Sequence, residues 1–355
     1  MSHQDNQNKE NIIKLREHLK ELPGFAREFF RGKTDYTSTL TRLAYAYDLK
    51  LFFNFLVFET LDFDAKAVES FSISDMQKVN AGHIEEFLEY LSYYIQYKKK
   101  DDGTQTELHK QNSAQGKSRK LSAIKSLLSF LYKKGYINSN PAELIQTPVS
   151  KEKSKIYLDV HEIANLLDEA ENGKNLSQHQ KKYHAITQSR DLALLSLFAG
   201  TGIRISEAIG INISDIDLQE QCFKVTRKGG DEAILYFGDE VKTSLEQYML
   251  LRKKNKAVQG NEDALFLSLQ NKRITARTVQ NLVKKYAALA APLKHITPHK
   301  LRTSFGTNMY RQTGDIYLVA DLLGHKDVNT TRKSYADTKS EAGRRAVRNY
   351  KLRED

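Results

Sequence analysis

From Thr147 to Lys155 the chain shows no apolar period; Pro148 leads into Lys151-Glu-Lys-Ser-Lys155, with Pro141 a short way upstream. A stretch with no face to bury stays extended and exposed. It falls inside a chain of 355 residues, more than one ordinary core accommodates. The reading is therefore two domains, 1–147 and 158–355, joined by a linker at 148–157.

Apolar residues before the linker recur at helical spacing. Ile12, Ile13, Leu15 and Leu19 make one face, which Leu22-Pro23-Gly24 interrupts. Leu40, Leu43, Ala44, Tyr47, Leu51, Phe52 and Phe55 predict a longer helix. Asp75 to Lys78 reads as a connector, and His83 to Tyr97 as another helix, its aromatic residues serving as core. Lys98 to Gly103 is a charged loop. Ser113 to Tyr132 predicts a further helix with Leu121, Ile124, Leu127, Leu128 and Leu131 inside and Lys117, Arg119, Lys120 and Lys125 on its polar face. Gly135 closes it.

Beyond the linker, Asp159 to Glu171 reads as a helix. Asn172 to Gln188 reads as a polar stretch with His179 and His184 at the surface, and Asp191 to Phe198 as a buried helix ending at Gly200-Thr-Gly202. Gln221 to Thr226 and Ala233 to Phe237 read as strands joined through Lys228-Gly229-Gly230-Asp231, residues that accept positive φ. Helices follow at Val241–Arg252 and Thr275–Leu289. The fold class is mainly α with a small β-sheet in the C-terminal domain.

The formal charge is +11, with an isoelectric point near 9.3. That excess of cations favours a polyanionic partner, nucleic acid first. Cys222 is the single cysteine, so an internal disulfide or cysteine-cluster metal site is excluded. Met1 to Glu10 lacks the apolar core of a secretory signal, and no apolar run approaches the length of a membrane span. The location expected is cytoplasmic and nucleoid-associated.

The chemistry-bearing residues cluster late in the chain. Thr297 and Pro298 mark a helix start, which puts His299 in the first turn and Arg302 beside it on one face. Gly324 ends an apolar helical turn, and His325 follows it. Arg204 opens a short helix after a glycine turn, with Glu207 three residues on to hold it. Two guanidiniums from separate elements can clamp the non-bridging oxygens of a phosphodiester, where transition-state charge gathers. Tyr335 is the nucleophile candidate. A phenol with a pKa near 10 needs a base and neighbouring cations to attack at neutral pH. His299 suits the base, and Lys228, at the hairpin tip, suits the acid for the leaving oxygen.

Gly202-Ile-Arg204-Ile-Ser-Glu207, Arg227-Lys228-Gly-Gly230, His299-Lys-Leu-Arg302, Leu323-Gly-His325 and Tyr335, ten residues past His325, resemble in order and spacing the motifs of the tyrosine recombinase (phage integrase) family. Leu22-Pro-Gly-Phe-Ala-Arg-Glu-Phe-Phe30 and Val225 to Gly230 look most like the single-protein Xer-type recombinases of Firmicutes. Thr303 stands where many members carry His or Ser, and the tyrosine spacing takes the longer option.

The resemblance implies a helical, SAM-like core-binding domain followed by a catalytic domain, closing as a C-shaped clamp on double-stranded DNA. It implies site-specific cleavage and rejoining through a 3′-phosphotyrosyl link to Tyr335. Arg204 and Arg302 would hold the phosphate, Lys228 would act as acid and His299 as base, with His325 adding a hydrogen bond. Neither ATP nor a metal or other cofactor is called for. A homo-tetramer on two DNA sites is implied, its tail from Lys339 to Tyr350 docking on a neighbour, and a regulatory protein partner is left open. Lys117, Arg119, Lys120 and Lys125 are the expected phosphate contacts of the first domain. Chromosome dimer resolution is the expected task. Mobile-element integration, type IB-like relaxation and a non-catalytic DNA-binding role stand as alternatives.

Overall fold

The computed structural model describes residues 3–63, 65, 67–99, 104–149, 155–227, 230–325 and 327–328. It divides into two compact units, Met1–Lys153 and Ser154–Asp355. Each has its own apolar core.

The first unit is built from α1 (His3–His18), α2 (Gly24–Gly32), α3 (Thr39–Phe58), α4 (Ile73–Lys78), α5 (Ala81–Tyr90), β1 (Tyr94–Lys99), β2 (Gln105–Lys110) and α6 (Ala114–Lys133). Ser38 caps α3 by accepting from the Thr41 N–H. Leu49, Phe52, Phe53 and Leu56 on α3 are wholly buried, as are Ile124, Leu127, Leu128 and Leu131 on α6. Rings meet edge to face, Phe52 with Phe87 at 5.1 Å and Phe29 with Phe130 at 5.6 Å, the geometry their quadrupoles favour.

Two sequence expectations need correction here. Asp75 to Lys78 is no connector but part of α4, started by a reciprocal Ser72–Asp75 capping box. The helix expected over His83–Tyr97 stops at Tyr90; Tyr94–Lys99 pairs antiparallel with Gln105–Lys110, Tyr94 opposite Lys110 and Lys99 opposite Gln105. The Ser92 and Tyr93 N–H groups turn back onto Glu89 and Tyr90, and Asn112 N–H donates to the Leu91 carbonyl at 3.0 Å. These bonds end the helix and tie down the base of the hairpin.

The second unit contains α7 (Val160–Asn172), α8 (Gln178–Thr201), α9 (Ile205–Gly210), β3 (Ile216–Asp217), β4 (Cys222–Thr226), β5 (Glu232–Tyr236), α10 (Asp239–Arg252), α11 (Ala276–Ala290), α12 (Pro298–Thr313) and α13 (Ile316–Leu323). The strands form an antiparallel sheet in the order β3-β4-β5, with Cys222 opposite Tyr236 and Thr226 opposite Glu232. Phe223 and Val225 turn into the core. β3 was not expected from the sequence.

Helix α8 is the central strut, with Ala193, Leu194, Leu195, Leu197 and Phe198 all buried, as expected of a helix packed on several sides. It begins earlier than its apolar run suggested, because Ser177 and Gln180 cap it reciprocally. His184 therefore lies on a helix and is buried, not at the surface. Its Nδ1 meets the Tyr286 hydroxyl at 3.1 Å, and that hydroxyl donates to Asp191 at 3.0 Å. Asp191 also receives Arg190, Lys285 and Thr187, so this buried carboxylate is fully compensated.

Candidate active site

Helices α8 and α13 both end in a left-handed glycine, Gly202 at φ 62° and Gly324 at φ 61°. The last carbonyls of a helix lack partners within it and sit at the negative end of its dipole. Here they receive arginines. Arg302, on α12 and only 6% exposed, donates from Nη1 to the Gly202 carbonyl at 2.6 Å and from Nη2 to the Leu323 carbonyl. Arg204, at the start of α9, donates from Nη2 to the Gly324 carbonyl at 3.3 Å. One guanidinium thus bridges two helix ends, and the second is fastened one residue further on. Glu207, buried, accepts from Arg204 Nη1 at 2.8 Å, as its spacing implied.

Thr297 and Pro298 start α12 as expected, the Thr297 hydroxyl accepting from the Lys300 N–H. Thr303 turns its hydroxyl back onto the His299 carbonyl. Buried Ser304 accepts from the Leu158 N–H at 2.8 Å, tying α12 to the opening segment of its unit. His325 leaves α13 through a bond from its N–H to the Ala320 carbonyl at 3.0 Å, a Schellman-type closure.

Both histidines feel the arginines. Partial desolvation, then Arg302, Lys300 and Arg204, hold His299 below its ordinary pKa. Desolvation, then Arg302, Arg204, His299 and Arg227, lower His325 to about 4. Both are neutral at pH 7: His299, open to solvent on one side, can accept a proton, and His325 can donate a hydrogen bond.

Arg204, Glu207, His299, Arg302 and His325 are thus brought together. Lys228 and Tyr335 lie outside the described residues, as does the tail from Lys339 to Tyr350. The hairpin that carries Lys228 is seen on both sides, closed by the Arg227 N–H donating to the Asp231 carbonyl at 2.7 Å. One cation escaped the sequence reading. Arg227 entered only as a neighbour of Lys228, yet its guanidinium packs directly against Gly324, where a β-carbon would collide with it.

In the first unit, Lys117 donates to Ser92 Oγ at 2.7 Å, Arg119 pairs with buried Asp48, and Lys125 donates to the Ile145 carbonyl at 2.7 Å. Lys120 departs from the expected polar face. It is buried and donates to Asn112 Oδ1 at 2.8 Å, its ammonium held down in pKa by burial.

The sequence profile of the Phage integrase family matches residues 157–342, more than half of the chain. The chain belongs to this family, and it is a tyrosine recombinase. Tyrosine recombinase XerC of Natranaerobius thermophilus is 33% identical over 269 residues, covering 74% of this chain and 80% of that protein. Tyrosine recombinase XerS of Streptococcus thermophilus is 29% identical over 346 residues, covering 90% and 93%. Among solved structures, XerH site-specific recombinase bound to palindromic difH substrate, in a post-cleavage complex, superposes with a TM-score of 0.64 at 20% identity, over 87% of this chain and 80% of that one. That likeness establishes the fold. Among the described residues no helix is long and apolar enough to cross a membrane.

Proposed function

We propose that this enzyme recombines double-stranded DNA at specific sites through a 3′-phosphotyrosyl intermediate, and that its task is chromosome dimer resolution. The observation that carries the chemistry is the pair of arginines fixed on the Leu323-Gly-His325 turn beside two neutral histidines. The relative named XerS, alike along 90% of the chain, supports the task.

Tyr335 Oη attacks the phosphorus and gives its proton to His299. Arg204 and Arg302 hold the non-bridging oxygens, and His325 donates a further hydrogen bond. The P–O5′ bond breaks and Lys228 protonates the departing oxygen. A 5′-hydroxyl from the partner duplex then displaces Tyr335 by the reverse path. The ester conserves the bond energy, so no nucleotide is consumed. Four protomers on two sites supply the strands exchanged, in the cytoplasm on the chromosome. Lys117 and Arg119 serve as phosphate contacts of the first unit.

The test selects half-sites from a randomised duplex library with the full chain, then builds a nicked suicide duplex from the selected sequence. In chelator, the wild-type protein should form a denaturant-stable DNA adduct. Tyr335→Phe should bind with the same salt sensitivity and form none. An undiminished adduct in that variant rejects Tyr335 as the nucleophile, and no adduct from wild type rejects the reaction.

A further inference from the structure

We infer that Arg227 is a third guanidinium for the scissile phosphate, set by its contact with Gly324 to face the same phosphate oxygens as Arg204 and Arg302. This inference rests on the proposed reaction and adds a residue to it.

Two guanidiniums meet on one glycine. Arg204 donates to the Gly324 carbonyl, while the guanidinium of Arg227 occupies the space that a side chain at 324 would need. The glycine of the Leu-Gly-His turn thus has two reasons to be there, its left-handed φ and the close approach of Arg227. The Nε of Arg227 is buried and has no hydrogen-bond partner among the described residues. A buried donor left unmade is costly, and a native structure keeps one where something else completes it.

The charges point the same way. Arg204 and Arg227 both meet on Gly324, and the carboxylate of Glu207 is already taken by Arg204. Like charges this close repel, and an anion between them relieves the repulsion. A pentacoordinate phosphoryl transition state, carrying two negative charges, is such an anion. His325 lies next to Gly324 and registers the charge of Arg227 along with those of Arg302 and Arg204. Arg227 also precedes Lys228 in the chain, and its own guanidinium lies against the turn at Gly324.

The rival role is a clamp that only fastens the hairpin to the turn. The selected suicide duplex separates the two when it is made with either an ordinary phosphate or an uncharged methylphosphonate at the scissile position. On phosphate, Arg227→Ala should slow adduct formation by roughly 100-fold or more relative to wild type, as for loss of one preorganised donor. On methylphosphonate, where there is less charge to neutralise, the deficit should shrink to within about tenfold. Arg227→Lys should fall between, because an ammonium keeps the charge but not the fork. Half-site affinity and melting temperature identify folded variants. An equal deficit on both backbones in folded Arg227→Ala, or no deficit on phosphate, overturns the assignment. If wild-type protein forms no adduct on phosphate, the underlying reaction fails instead, whatever Arg227 does.

Discussion

Glu207 holds Arg204 with both carboxylate oxygens: Oε1 accepts from Nη1 at 2.8 Å, and Oε2 accepts from the backbone N–H at 3.0 Å. The same acid caps α9 and aims the guanidinium, so the helix start and the proposed phosphate ligand are one feature. Gln at 207 has one acceptor and one donor end, and only one of the two bonds survives. Glu207→Gln should slow adduct formation roughly 10- to 100-fold, while half-site affinity changes by less than about threefold. Quench-flow at saturating DNA measures the first and titration the second. A wild-type rate would show that Arg204 is positioned without Glu207.

Gly202, two residues before Arg204, receives Arg302 on its carbonyl. A β-carbon there would stand 2.5 Å from Phe305 Cδ1 and 2.9 Å from Leu323 Cδ2, on a residue already in the left-handed region. Phe305, Val319 and Leu323 make the small core between α12 and α13, so an added methyl would wedge those helices apart. Gly202→Ala should cost about 2–4 kcal/mol, combining backbone strain with overpacking. Urea unfolding of the full chain measures this. A change below about 0.5 kcal/mol would mean that the site relaxes around the methyl.

The histidines set a direction for pH. His325, at about 4, and His299 and His184, both lowered, bind protons less readily folded than unfolded. Their contribution to stability is complete above the unfolded histidine value near 6.5 and is lost as pH falls through the folded values. The urea midpoint should therefore fall between pH 7 and 4.5. His325→Asn, which cannot titrate, should flatten part of that slope. NMR of the ring protons should find His325 neutral down to about pH 4, and a midpoint near 6.5 would contradict the burial and arginine contacts described.

What the sequence disclosed followed from the range of the forces involved. Thr297, Pro298 and Gly324 act within one helical turn, so the placements of His299, Arg302 and His325 could be read from their neighbours. The spacing of Arg204 to Glu207 is equally local. The hairpin β1–β2 was missed because Tyr90, Leu91, Tyr94 and Ile95 suit a helical face as well as a strand, and the deciding bond comes from Asn112. His184 was misplaced because its partner, Tyr286, lies 102 residues away. Arg227 was passed over for the same reason: Gly324 is its neighbour in space alone.

Lys117 and Lys120 lie three residues apart on α6, yet they should behave oppositely. Lys117 is partly exposed and, among the described residues, held by Ser92 Oγ, a bond a phosphate can replace. Lys120 is buried, satisfies Asn112 Oδ1 and sets its charge near buried Asp48, whose carboxyl burial pushes up in pKa against the pull of Arg119 and Lys120. Lys117→Ala should lower the salt slope of half-site binding by about 0.9 between roughly 50 and 200 mM salt, with the melting temperature unchanged. Lys120→Ala should leave the slope alone and cost about 1–3 kcal/mol, because a half-buried acceptor loses its donor and the buried side chain its packing. A slope change for Lys120→Ala together with unchanged stability would place its ammonium on DNA, against the contacts seen in α6.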